Sequence, residues 1–124
     1  MARREAVTVE GMDELAKKVD KLKAQVVEGL QRSVKDETDD VRDDMTRGAP
    51  RDTGELAASM RSRISNGGLT GEAAATARHA IFVNEGTADT DAQPFATAAA
   101  ERSRQRFPKR VRAEVGAELD RLTR

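Results

Sequence analysis

Larger apolar residues recur at Met12, Leu15, Val19, Leu22, Val26, Leu30, Val34, Val41 and Met45, in steps of three and four broken only at Thr38. That pattern is one face of an α-helix. Its mean spacing, about 3.67 residues per turn, fits a straight helix better than a strict heptad coil. Gly11 precedes the stripe, and Gly48-Ala49-Pro50 ends it in the Gly-then-Pro order that stops helices. A helix over residues 12–47 is about 54 Å long at 1.5 Å per residue. A compact domain of 124 residues is only roughly 35 Å across. Unless it bends at Gly29, this helix overhangs its own domain with apolar side chains still on it. The chain is therefore expected to be completed by another chain, through self-assembly.

The core available to it is thin. Twenty of the apolar residues are alanine, and Leu, Ile, Val and Phe together number 22 of 124. That fraction accompanies disorder when net charge is high, but here 22 basic and 22 acidic side chains cancel and the apolar residues are periodic. Zero net charge argues against a generic polyanion binder. The absence of cysteine excludes a disulfide framework, thiolate metal sites and a cysteine nucleophile. No apolar run approaches the roughly 20 residues of a membrane-spanning helix. The start, Met1-Ala2-Arg3-Arg4-Glu5, lacks the apolar stretch of a signal peptide, which points to the cytoplasm.

Length favours one domain over residues 1–124, with 1–10 and 123–124 loosely ordered. Ala6-Val7-Thr8-Val9-Glu10 alternates weakly, as a short strand would. After the first helix, Asp52 or Thr53 can cap a short helix through Leu56, Ala57 and Met60, with Glu55 at capping-box spacing from Asp52. Met60–Ser65 and Leu69–Ala77 read as strands around an Asn66-Gly67-Gly68 turn. Ile81-Phe82-Val83 forms a compact apolar knot ended by the turn Asn84-Glu85-Gly86-Thr87, where Gly86 can take positive φ. Phe95, Ala99, Ser103, Phe107, Val111, Val115, Leu119 and Leu122 mark a last helix over about 94–122. Pro94 suits its start, and Pro108 should bend it near 105–108. The expected class is α+β: a long N-terminal helix, a short helix, a small antiparallel hairpin and a long kinked C-terminal helix.

Charge balances overall but not locally. Asp36, Glu37, Asp39, Asp40, Asp43 and Asp44 crowd the C-terminal end of the first helix, where the macrodipole favours cations. Arg102, Arg104, Arg106, Lys109, Arg110 and Arg112 crowd the last helix. Both clusters can be solvated faces, or they can be complementary surfaces through which neighbouring subunits dock. The basic cluster can also be a nucleic-acid patch, although the chain has no Trp or Tyr to stack on bases.

Catalysis finds little support. His79 is the only histidine, no nucleophile-elbow, Walker or dinucleotide glycine pattern is present, and the Asp pairs lack EF-hand spacing. No cofactor or metal is expected, and His79 reads as a half-buried packing residue.

Three segments taken together resemble a tail-component family of tailed bacteriophages, small neck proteins encoded among the head–tail joining genes. Ala49-Pro50-Arg51-Asp52-Thr53-Gly54-Glu55-Leu56-Ala57-Ala58-Ser59-Met60 resembles the family's "aPxdTGxLxxSi" segment. His79-Ala80-Ile81-Phe82-Val83-Asn84-Glu85-Gly86-Thr87 resembles "YAxyvExGT", and Gln93-Pro94-Phe95 resembles "qPFlxpA". The family's usual Tyr is His79 here, and its usual Glu falls at Asn84, with Glu85 beside it. The resemblance spans about residues 10–107.

It implies a non-catalytic structural virion protein that assembles as a six- or twelve-fold ring and joins a DNA-filled head to a tail. Its partners would be further copies of itself, a portal-side connector or stopper, and tail-tube or terminator proteins. DNA would be only cargo in the lumen, no membrane would be involved, and the host cytoplasm would be the place of assembly. A tail-tube terminator and a minor tail protein fit the same resemblance. The reading from another class is a host helical nucleic-acid-binding or regulatory module. Pro50, Thr53, Gly54, Leu56, Phe82, Gly86, Thr87, Pro94 and Phe95 are the expected turn and anchor residues. The acidic and basic clusters are the candidate subunit or partner surfaces.

Overall fold

The computed structural model describes residues 11–51 and 54–123. In chain order the described elements are α1 (Met12–Gly48), α2 (Glu55–Ala58), β1 (Met60–Ser65), β2 (Thr70–Ala75), α3 (Ala80–Glu85) and α4 (Phe95–Thr123). The α+β arrangement read from periodicity is the one observed. The strand expected at residues 6–10, together with Asp52 and Thr53, lies outside the described residues.

α1 is one uninterrupted helix of 37 residues, about 55 Å long. Asp13 and Glu14 in its first turn complement the positive end of the helix dipole. Ala49 adopts an extended backbone at its end, as a residue before proline prefers. Gly29 does not bend it. A Cβ there would sit 3.4 Å from Glu114 Oε2 and 3.8 Å from Glu118 Cγ, so the missing side chain lets α4 come close.

α4 runs antiparallel to α1. Gly48 meets Phe95, Asp44 and Glu37 meet Arg106, and Arg32 meets Glu114 and Glu118. Numbers therefore rise along α4 as they fall along α1. At that one-for-one pace the end of α4 comes level with about residue 23 of α1, so roughly three turns of α1 project beyond its partner. The helix continues through Pro108, whose missing N–H deprives the Arg104 carbonyl of its usual donor.

The hairpin lies across the other half of α1. β1 and β2 pair antiparallel from Met60↔Ala75 to Ser65↔Thr70. The link between them turns through Asn66, Gly67 and Gly68, all at positive φ, which glycine and asparagine tolerate best. Gln31 Nε2 donates to the Gly67 carbonyl at 2.8 Å, and Arg42 Nη1 donates to Ser62 Oγ at 3.1 Å, fixing hairpin to helix. The second strand is shorter than the expected Leu69–Ala77, although one further in-register bond, from the Thr76 N–H to the Ser59 carbonyl at 3.1 Å, carries the pairing a step past Ala75.

The buried core gathers at the C-terminal end of α1. Met45, Ala49, Leu56, Met60, Phe95 and Ala99 form it, with Val41 and Val83 and several alanines packed around. α2 begins after Gly54, which stands at the cap position with φ 79° and supplies no side-chain cap. Asp52 and Thr53, the expected cap residues, lie outside the described residues; within α2, Leu56 is buried in the core and Ala57 packs against it.

Candidate docking surface

The turn-bearing segments, far apart in sequence, converge beside that core. Pro50, Gly54, Leu56, His79, Val83 and Gln93 line a cleft of about 320 Å3. His79, Val83 and Gln93 also line an adjoining cleft of about 190 Å3 with Phe82, Thr87, Thr90 and Asp91. The Gln93 N–H donates to the Val83 carbonyl at 2.8 Å and stitches the two sides together.

Two residues make the junction from α3 to α4. Gly86 has φ 81° and ψ 172°, a region reserved almost entirely for glycine. A Cβ there would also lie 2.8 Å from the Ala92 nitrogen. Asn84 caps α4 from outside it. Its Oδ1 accepts from the Ala96 and Thr97 N–H groups at 3.1 and 3.2 Å, and its Nδ2 donates to Thr97 Oγ1 at 3.2 Å. Those N–H groups belong to the first turn of α4 and have no intrahelical acceptor. Asn84 therefore has a physical role that sequence reading missed. Asn is a good cap residue, but a cap contributed from another element leaves no local spacing to find.

The segment Ile81-Phe82-Val83 is not a compact knot. It is part of α3, and only Val83 packs against the core, while Ile81 and Phe82 are 62 and 58 % exposed. Phe82, expected as an anchor, is mostly exposed and stands outside the buried core, because a short helix turns adjacent side chains about 100° apart. Of the other expected turn and anchor residues, Leu56 and Phe95 are buried. The Pro94 carbonyl accepts from Ala98 N–H at 2.9 Å, which puts Pro94 at the cap of α4. The Thr87 N–H bonds the Thr90 carbonyl at 2.9 Å, and Thr87 Oγ1 accepts from the Asp89 N–H at 3.3 Å. Thr53 lies outside the described residues.

The charged clusters meet each other inside the chain. Arg106 Nε donates to Glu37 Oε2 at 2.9 Å and its Nη1 to Asp44 Oδ2 at 3.1 Å. Arg110 pairs with Asp40 and sits 3.5 Å from Glu37 Oε1. Hydrogen bonding to Glu37, and after it to Asp44, raises the Arg106 pKa above its ordinary value against the opposing effect of burial. Further along the seam the signs reverse, with Arg32 3.3 Å from both Glu114 and the buried Glu118. Four α4 residues at four-residue steps, Arg106, Arg110, Glu114 and Glu118, thus face a matching charge pattern on α1. The macrodipole conflict of the acidic cluster is offset by these arginines.

This changes what each cluster offers a neighbour. Glu37, Asp40, Asp44, Arg106 and Arg110 are engaged within the chain. Asp39 pairs with Lys35 at 2.9 Å, Asp43 with Arg42 at 3.6 Å, and Arg104 with Glu101 at 2.6 Å. Asp36, Arg102, Lys109 and Arg112 are exposed and make no ion pair among the described residues. At the far end, Met12, Leu15 and Val19 on the projecting turns of α1 are 63, 52 and 41 % exposed.

Apolar side chains stand exposed on the projecting turns of α1 and on α3 beside its other end, the kind of surface that marks proteins which pack against other chains. No helix among the described residues is long and apolar enough to cross a membrane. The chain belongs to the family described as "Bacteriophage HK97-gp10, putative tail-component", which matches residues 13–86. Membership makes it a structural, tail-related component of a bacteriophage virion, with other phage proteins as its neighbours. The match takes in α1 to α3, including the Pro50–Met60 and His79–Gly86 segments. Gln93-Pro94-Phe95 lies beyond it. No curated protein and no solved structure matches the chain.

Proposed function

We propose that this protein is a non-catalytic subunit of the phage neck, assembling as a six- or twelve-fold ring that joins the DNA-filled head to the tail. The observation that carries this reading is the projecting start of α1. Three turns bearing Met12, Leu15 and Val19 extend past the rest of the described residues, and burying each such side chain is worth roughly 1.5–3 kcal/mol. Ile81 and Phe82 offer a second apolar surface on α3, beside the core at the opposite end of α1. Two different surfaces on one subunit are what a closing head-to-tail interface requires. A connector on the portal side and tail-tube proteins are the neighbours this reading assigns. A nucleic-acid role for the basic cluster loses support, since Arg106 and Arg110 are neutralised by carboxylates of α1.

Deleting the gene from its phage or prophage tests the reading. Filled heads and separate tails are expected to accumulate, and adding purified protein to the lysate should restore joined particles. Intact, infectious virions from the deletion would end it. Particle mass and negative-stain images of the purified chain give the subunit number.

A further inference from the structure

Two adjoining cavities, of about 320 and 410 Å3, share Val41, Gly71, Ser103 and Phe107 and together form one trough. α1 is its floor, β2 one wall and α4 the other. The trough is deep because the β2 wall carries small residues, Gly71 and Ala73. A Cβ on Gly71 would fall 1.8 Å from Thr38 Oγ1.

The wall is also an open sheet edge. β1 occupies one side of β2, and no third strand stands on the other among the described residues. The backbone of Gly71–Ala75 makes no hydrogen bond outside the ladder to the backbone of any described residue. A free edge of this kind is a template for an added strand, whose alternate side chains fill what lies beneath.

The chain holds one further segment with strand alternation, Ala6-Val7-Thr8-Val9-Glu10. Period two puts Val7 and Val9 on one face and Thr8 and Glu10 on the other. Five extended residues span about 17 Å, enough to cover β2 from Thr70 to Ala73 at about 3.4 Å per residue. Its own copy cannot use it. The trough lies opposite Val34 and Val41, at least about 35 Å along α1 from Gly11 at 1.5 Å per residue. Val7 is four residues from Gly11 and reaches at most about 14 Å.

We propose that the trough between β2 and α4 receives residues 6–10 of a second copy, which add a strand to the free edge of β2 and bury Val7 and Val9 over Val41 and Phe107. Donor segment and acceptor trough are different surfaces, so the exchange repeats from copy to copy and can close a ring. The inference rests on the reading that copies of this chain assemble, and it adds one contact between them to the projecting turns of α1.

The chain lacks cysteine, so disulfide trapping reads a single pair. Full-length Val9→Cys and Ala100→Cys chains are mixed at high micromolar concentration, oxidised, and their linked peptides quantified by mass spectrometry. Ser103→Cys serves as a second acceptor should Ala100→Cys fold poorly. The Val9–Ala100 or Val9–Ser103 link is expected to exceed, several-fold, the link formed by Thr8→Cys, which faces away. Equal yields from positions 8 and 9, or no link at either acceptor, overturn the strand exchange. Rings whose cysteines never join would do so while leaving the neck reading intact. Failure of the neck reading shows separately, as joined virions from the gene deletion.

Discussion

Replacing Arg106 by methionine asks what the charged seam contributes. The substitution keeps much of the side-chain length and removes the guanidinium that serves both Glu37 and Asp44. The Glu37 and Asp44 side chains are each 6 % exposed, against 33 % for Arg106. Breaking a buried ion pair from one side costs about 3–5 kcal/mol, because the remaining charge stays desolvated. Here the loss is smaller, since Glu37 keeps Arg110 at 3.5 Å and Asp44 keeps Arg47, and Arg106 is partly wet. About 2–3 kcal/mol is expected for Arg106→Met in urea unfolding followed by helical circular dichroism. Adding Glu37→Met should recover part of it, with a coupling of roughly 1–2 kcal/mol in the double-mutant cycle. The cycle should not depend on protein concentration, because both partners belong to one chain. A loss under about 0.5 kcal/mol would refute the reasoning, as surface pairs behave that way. A coupling that grows with concentration would refute it too, by placing the pair between subunits.

Three other outcomes follow from the same geometry. Gly86→Ala should cost at least about 2 kcal/mol, from a backbone region that strains other residues by about 1–3 kcal/mol and a Cβ 2.8 Å from the Ala92 nitrogen; Gly86→Val should abolish soluble folded protein. An unchanged melting temperature for either would remove the turn assignment. Asn84→Ala should cost about 1–2 kcal/mol through two uncapped N–H groups, and Asn84→Asp should lose little, because a carboxylate suits a helix start; equal losses in thermal melts would contradict the cap. Combined Met12→Ser, Leu15→Ser and Val19→Ser should leave the unfolding free energy of the monomer within about 1 kcal/mol, since surface positions matter little, yet abolish higher-mass species in light scattering. Assembly that survives all three changes would show that the projecting turns are not an interface.

The sequence by itself determined the local elements. The three-and-four spacing from Met12 to Met45 set the extent of α1, Gly48-Ala49-Pro50 its end, and Asn66-Gly67-Gly68 the hairpin turn. Each depends only on neighbours within one or two turns of chain, through helical period, missing N–H groups and tolerance of positive φ. Gly86 was legible for the same reason, and so was the thin, alanine-rich core. Tertiary structure decided which surfaces meet. Glu37 and Arg106 stand 69 residues apart, and composition could not say whether the two charged clusters would find each other within a chain or between chains. The core at the C-terminal end of α1 fixes the antiparallel register, and that register brings Arg106 and Arg110 onto the carboxylates. It also makes Gly29, a candidate bend in the sequence, a close contact with α4. Asn84 became a helix cap and Phe82 an exposed side chain only once α3 was docked beside α4. Those roles are geometric relations between elements, and no single stretch of sequence carries them.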